Sequence, residues 1–168
     1  MSTLVERLVA ARIGDTFNQY RDERLARRLA RYLAARGDAP VLLVGEAAGY
    51  RGARVSGVPF TSERQLTGSG PAEATATIVH NVLAELGLTE DVLLWNVVPT
   101  HPGTATSNRA PTRSEVEAGL PFARALARGR RVVAVGRVAE AALGAPYVRH
   151  PSHGGASAFR DTLRACLT

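Results

Sequence analysis

The chain has 168 residues, of which 45% are hydrophobic, enough to bury one sizeable core. A single domain over 1–168 is therefore expected, with N-terminal helices in 1–38 and a core carrying the motifs in 40–168. Its 21 basic residues, every one arginine, outnumber 15 acidic ones for a net charge of +6, which suggests a polyanionic partner, although coding bias in a GC-rich genome gives the same excess without any ligand. The lone Cys166 excludes a disulfide framework or a cysteine-built metal cluster within the chain. No apolar run reaches the length of a membrane span, and the first residues lack a signal-peptide core, so a soluble, cytoplasmic protein is expected.

Arg21 to Gly37 spaces Leu25, Leu29, Tyr32 and Leu33 three and four apart and stops at glycine, which predicts an amphipathic helix with an arginine-rich outer face. Pro40 to Gly45 is a short apolar run ended by glycine, the pattern of a strand buried on both faces. Asp91–Val98, Arg130–Gly136 and Ala145–His150 repeat it. Helical stretches at 71–86, 113–128 (interrupted by Pro121), 137–143 and 157–167 alternate with these strands, and Arg64 to Ala74 reads as a loop. The alternation predicts an α/β fold, a three-layer α/β/α sandwich around a central, mainly parallel four-stranded sheet. Ligands of such sheets collect beyond the carboxyl ends of the strands. There the sequence places "GEAAGYRG", "NVVPTHP" and "HPSHGG".

The glycines of "GEAAGYRG", at 45, 49 and 52, miss the dinucleotide spacing, and the stretch lacks the Lys and Ser/Thr of a P-loop. No nucleotide cofactor is expected; what remains is a tight turn presenting Glu46. Phe60, between a proline and two hydroxyls, is either a core residue or a stacking surface for a flat ring. Asn96 breaks an apolar strand end, and its amide either holds the next loop or reads a ligand with one donor and one acceptor. His150 and His153, with His101, lack a carboxylate or cysteine at ligand spacing, so no metal is expected. Ser152 has neither a nucleophile elbow nor an orienting acid, which argues against a Ser-His pair.

In this order, "VGEAAG", "GVPFTSE", "LLWNVVPTHP", "SNRAPTRSEVEAGLPF" and "HPSHGGASAFR" resemble the uracil-DNA glycosylase superfamily over Val41 to about Arg160. The resemblance implies a DNA-repair hydrolase that flips uracil out of DNA and cleaves its N-glycosidic bond, with no cofactor. The implied setting is a cytoplasmic monomer acting at the bacterial nucleoid. It assigns His150 as the donor to uracil O2, Ser152 to the DNA backbone, Phe60 to stacking on the base and Asn96 to its Watson-Crick edge. Gly45, Ala47 and Gly49 would line the base subsite, and Arg109, Arg113 and His153 would join Ser152 in touching DNA.

The branch with a "GEAPG"-type first motif is the most similar, sharing Asn108, Arg109, Pro111, Thr112 and Glu115. This chain lacks that branch's four iron-sulfur cysteines, has Ala48 for its proline, and has Ala47 where well-characterised relatives place the aspartate or asparagine that positions water. Glu46 becomes the candidate for that task. Gly49 stands where some relatives set a tyrosine against the C5 methyl, and small residues after "HPS" replace an apolar wedge, which favours single-stranded DNA. The alternatives are a non-catalytic uracil or nucleic-acid binder on the same fold and a small-molecule nucleoside hydrolase.

Overall fold

In a computed structural model, which describes residues 3–167, the chain forms a three-layer α/β/α sandwich. The ends of the expected domain, residues 1–2 and 168, lie outside the described residues. Helix α1 (Thr3–Ala10) and a 3-10 turn at Gln19–Arg21 precede α2 (Glu23–Ala35), whose start is fixed by the Asp22 carboxylate accepting from the Arg24 and Leu25 N–H groups. Strand β1 (Val41–Ala47) leads through the short helices α3 (Ala53–Ser56) and α4 (Glu63–Thr67) to α5 (Ala74–Glu85) and β2 (Val92–Val98). A hairpin of β3 (Gly103–Thr104) and β4 (Ser107–Asn108) leads into α6 (Arg113–Ala127). Strand β5 (Arg131–Val135), α7 (Arg137–Leu143), β6 (Tyr147–Val148) and α8 (Ala156–Leu167) complete the chain.

The central sheet has the order β2-β1-β5-β6, all parallel, with Gly45 opposite Asn96 in the register. Alternation along β1 and β2 sorts side chains between the two faces. Leu42, Val44, Leu93 and Trp95 pack with α1, α2, α6 and α7, whereas Val41, Leu43, Val92 and Leu94 pack with α5 and α8. Both faces are covered, which is why the strands read as continuous apolar runs rather than alternating ones.

Two local expectations are corrected. Helix α6 runs unbroken through Pro121. Proline's missing N–H frees only the Glu117 carbonyl one turn earlier, and both residues are exposed, so water can satisfy that oxygen. The stretch expected as loop from Arg64 to Ala74 begins with α4, because Ser62 and Gln65 form a reciprocal capping box and Glu63 is gripped by Arg28 at 3.0 Å. The arginine face of α2 is likewise less free than its composition suggests: Arg24 and Arg28 meet Glu63, Arg27 pairs with Glu23, and Arg36 holds Glu90.

Candidate active site

A cleft of about 410 Å³ opens at the carboxyl ends of β1, β2, β5 and β6. It gathers most of the residues singled out in the sequence: Glu46, Ala47, Gly49, Phe60, Asn96, Arg109, His150 and Ser152 all line it. Gly45 lies directly beneath the tip of the Phe60 ring and 3.0 Å from the Asn96 side-chain oxygen, measured to the Cβ a larger residue would carry. Any side chain at Gly45 would displace the ring, so glycine there is a packing requirement of the stacked pair. Arg113 and His153 are exposed and stand outside the cleft lining, Arg113 paired with Glu117 one helical turn on.

Phe60 is buried and takes a left-handed φ of 51°, a costly conformation for a bulky side chain, of the kind that clusters at ligand sites. Asn96 is 4% exposed, yet no hydrogen bond from the described residues reaches its side-chain amide. A structural asparagine would be satisfied by backbone groups. This one does not hold the next loop; it faces the cleft with its donor and acceptor free.

The Ser152 backbone N–H donates to His150 Nδ1 at 3.2 Å, so that nitrogen is the unprotonated one and Nε2 carries the hydrogen. Burial, with a smaller contribution from His153, lowers the His150 pKa and keeps the ring neutral. Ser152 meets His150, its Oγ 2.8 Å from Nδ1 and 3.1 Å from His153 Nδ1. Among the described residues no carboxylate backs the imidazole, so the contact orders the loop instead of activating a nucleophile.

His101, considered as a metal ligand, is fully buried with its ring nitrogens 2.7 Å from the Ala48 and Thr104 carbonyl oxygens. It ties the first loop to the hairpin, and no group of metal-ligating side chains forms among the described residues. The "NR.PT..E" segment is mainly a brace. Asn108 accepts from the Tyr50 N–H at 2.9 Å, while Glu115, 2% exposed, receives Arg109 at 2.7 and 2.8 Å, the Thr112 N–H and the Asp15 N–H.

A model of the uracil DNA glycosylase superfamily matches residues 33–164. The chain belongs to that superfamily. The crystal structure of wild-type SMUG2 from Pedobacter heparinus is similar in fold, with a TM-score of 0.68 and 13% identity over 99% of this chain and 97% of that one. No curated protein matches. Within this superfamily member, the cleft also holds residues that sequence reasoning missed, among them Thr75, Arg137 and the acid Glu73. Glu73 sits immediately before α5 but leaves the helix uncapped, and its carboxylate instead lies against Gly49 and Gly52, where a Cβ would collide with it. Burial raises the pKa of both Glu46 and Glu73, and neither carboxylate has a hydrogen bond or ion pair among the described residues. The clue was the glycine pair in "GEAAGYRG": two positions without side chains leave room for one.

Proposed function

We propose that the protein is a monofunctional uracil-DNA glycosylase that binds uracil-containing DNA as a monomer and leaves an abasic site. The observation that carries this reading is the buried, unpartnered Asn96 amide facing the cleft beside Phe60. Uracil presents O4 as acceptor and N3–H as donor, the complement of one amide, whereas cytosine reverses the pattern. Phe60 stacks on the flipped ring. The C1′–N1 bond breaks with its electron pair leaving on uracil, and His150 Nε2–H, already the protonated nitrogen, donates to O2 as charge gathers there. Glu46 and Glu73 supply negative charge to the oxocarbenium-like sugar. Glu46 orients the water that adds to C1′, and a water proton passes to a carboxylate. These two acids answer the absence of an acid at Ala47.

The test is a labelled oligonucleotide containing one uracil, incubated with the protein and then with alkali. Strand cleavage at the uracil is expected. Retention of the oligonucleotide without cleavage would make the protein a binder on the same fold, and neither outcome would leave the nucleoside-hydrolase reading.

A further inference from the structure

The N-terminal residues precede the family match, yet one of their loops reaches the rim of the cleft. Phe17 exchanges both backbone hydrogen bonds with His101, at 2.8 and 2.9 Å. The Thr16 and Thr100 hydroxyls meet at 2.5 Å, and the Asp15 N–H donates to Glu115, the carboxylate that also holds Arg109. The loop is thus fixed at its backbone while the Phe17 ring stays 50% exposed. The Arg54 guanidinium covers one face of that ring at 4.7 Å, and its Nε has no hydrogen-bond partner. Ala53 and Pro102, the chain neighbours of Arg54 and His101, line the cleft, so the ring stands one residue from its wall on two sides.

The chain on either side of Phe17 lines a groove that includes Arg12, Gly14, Asp15, Thr16 and Arg21. Arg12 and Arg21 form no ion pair with the described residues, in contrast to the paired arginines of α2. Two guanidiniums against the single Asp15 carboxylate leave the groove cationic. A fixed aromatic surface backed by a cation, next to uncompensated arginines, suits a single nucleic-acid strand: any base offers a flat face, and the phosphates follow the positive groove.

We propose that this rim holds the strand flanking the flipped nucleotide, with a neighbouring base stacked on Phe17 and a backbone phosphate between Arg12 and Arg21. It would do from the N-terminal loop what the small residues of "HPSHGG" cannot do from the other side of the cleft. The inference rests on DNA being the ligand, and it is tested by binding, without excision.

Affinity is measured by anisotropy for a single strand carrying 2′-fluoro-deoxyuridine, whose fluorine suppresses the oxocarbenium ion and hence cleavage, with either natural bases or abasic spacers on both sides. Phe17→Ala should weaken binding about tenfold with natural flanks and not at all with spacers, and Phe17→Trp should restore it. Replacing Arg12 and Arg21 together by glutamine should lower the slope of log affinity against log salt by about 0.7, the share of the one phosphate they hold. A Phe17→Ala protein that binds both strands like wild type, or loses equally on both, overturns the stacking role, and an unchanged salt slope overturns the groove. A wild type that binds DNA but never excises uracil overturns only the glycosylase reading. One that does not bind DNA overturns both.

Discussion

At Asn96 the two readings of a buried amide part ways. A structural asparagine lost to alanine strands backbone groups and lowers stability, whereas a ligand-reading one leaves the free protein intact and strands the ligand. With no partner among the described residues, Asn96→Ala should keep its melting temperature while single-turnover excision loses about 2 to 4 kcal/mol of transition-state stabilisation. Normal excision by the folded variant would return Asn96 to a structural role. His150→Ala should hold DNA affinity within a few-fold and slow excision about 10²- to 10³-fold, since its donor matters only once charge reaches O2. Because burial lowers the His150 pKa, wild-type activity should persist above the ordinary histidine value of 6.5. Glu73 gives a prediction of opposite sign for stability. Its folded pKa is raised from 4.5, so the folded state holds the proton more tightly than the unfolded chain, and ionisation destabilises the fold as pH climbs from 4.5 through the raised value. Glu73→Gln should therefore melt higher than wild type at neutral pH, by a margin that vanishes toward pH 4.5, while excising more slowly. A variant that is neither more stable nor slower removes Glu73 from the site. Asn96 and His150 stood out because each breaks an apolar run toward the end of a strand, whereas Phe60, in the loop between α3 and α4, took its expected role from the resemblance. Glu73 did not stand out, since an acid just before a helix resembles an ordinary partner of the helix dipole.

Element by element, what positions the cleft is a set of braces between segments far apart in the chain, and α6 shows how much one of them carries. Glu115 sits buried in the first turn of α6, closes a capping box with Thr112, and gathers the more exposed Arg109 and the Asp15 N–H around its carboxylate. The Arg109 guanidinium, with the Thr112 and Asp15 N–H groups, holds the Glu115 carboxyl down at about 2. A depressed folded pKa contributes stability above the ordinary 4.5 and loses it as pH falls toward 2, so Glu115 accounts for part of the acid unfolding in that window. Glu115→Ala should cost about 1 to 2 kcal/mol at neutral pH through the lost capping box and the lost bonds to the Thr112 and Asp15 N–H groups, the half-open Arg109 turning to water, and should flatten the acid limb of the stability curve. A chemical denaturation series from pH 2 to 7 checks both, and an unchanged acid limb would remove the pair from the account. The four strands and most helices were readable because each satisfies a simple period: continuous apolar runs in a sheet covered on both faces, and three-and-four spacing in α2. The misjudged elements were decided by context. Solvent access at Glu117 lets α6 pass Pro121, and the distant Arg28 draws Glu63 into the start of α4. The motif "NR.PT..E" was legible as a pattern, but its work as a brace depends on Tyr50 and Asp15, which no local reading connects to it.

On the scale of the whole molecule, the excess of +6 is distributed in a way that composition cannot show. Part of the arginine content is matched within the fold: Arg28 and Arg36 each clasp a carboxylate from a distant stretch of chain, Arg109 holds Glu115 in its own motif, and Arg113 and Arg137 pair within their own helices. Such cations hold few counterions to release, because their charge is already matched. The arginines without a carboxylate partner include Arg12 and Arg21, at the two ends of the segment that carries Phe17, and Arg51 and Arg54, just before and within α3, Arg51 stacking on Tyr50 and Arg54 on Phe17. If coding bias alone explained the charge, affinity for an oligonucleotide would be weak, and neutralising these four would lower it no more than neutralising any other four. If phosphate contact explains it, log affinity should fall linearly with log salt, with a slope set by the free arginines near the cleft rather than by all 21 basic residues. For single-stranded DNA each phosphate contact contributes about 0.7 to that slope, so a handful of contacts predicts a slope of about 2 to 4. Replacing Arg24 and Arg27, whose partners are Glu63 and Glu23 on the α2 side, should leave it unchanged, because those charges are compensated within the fold. The comparison between the two sets is the decisive measurement: a flat salt response, or equal losses from the paired and unpaired arginines, would mean that the basic balance of this chain has no part in holding DNA.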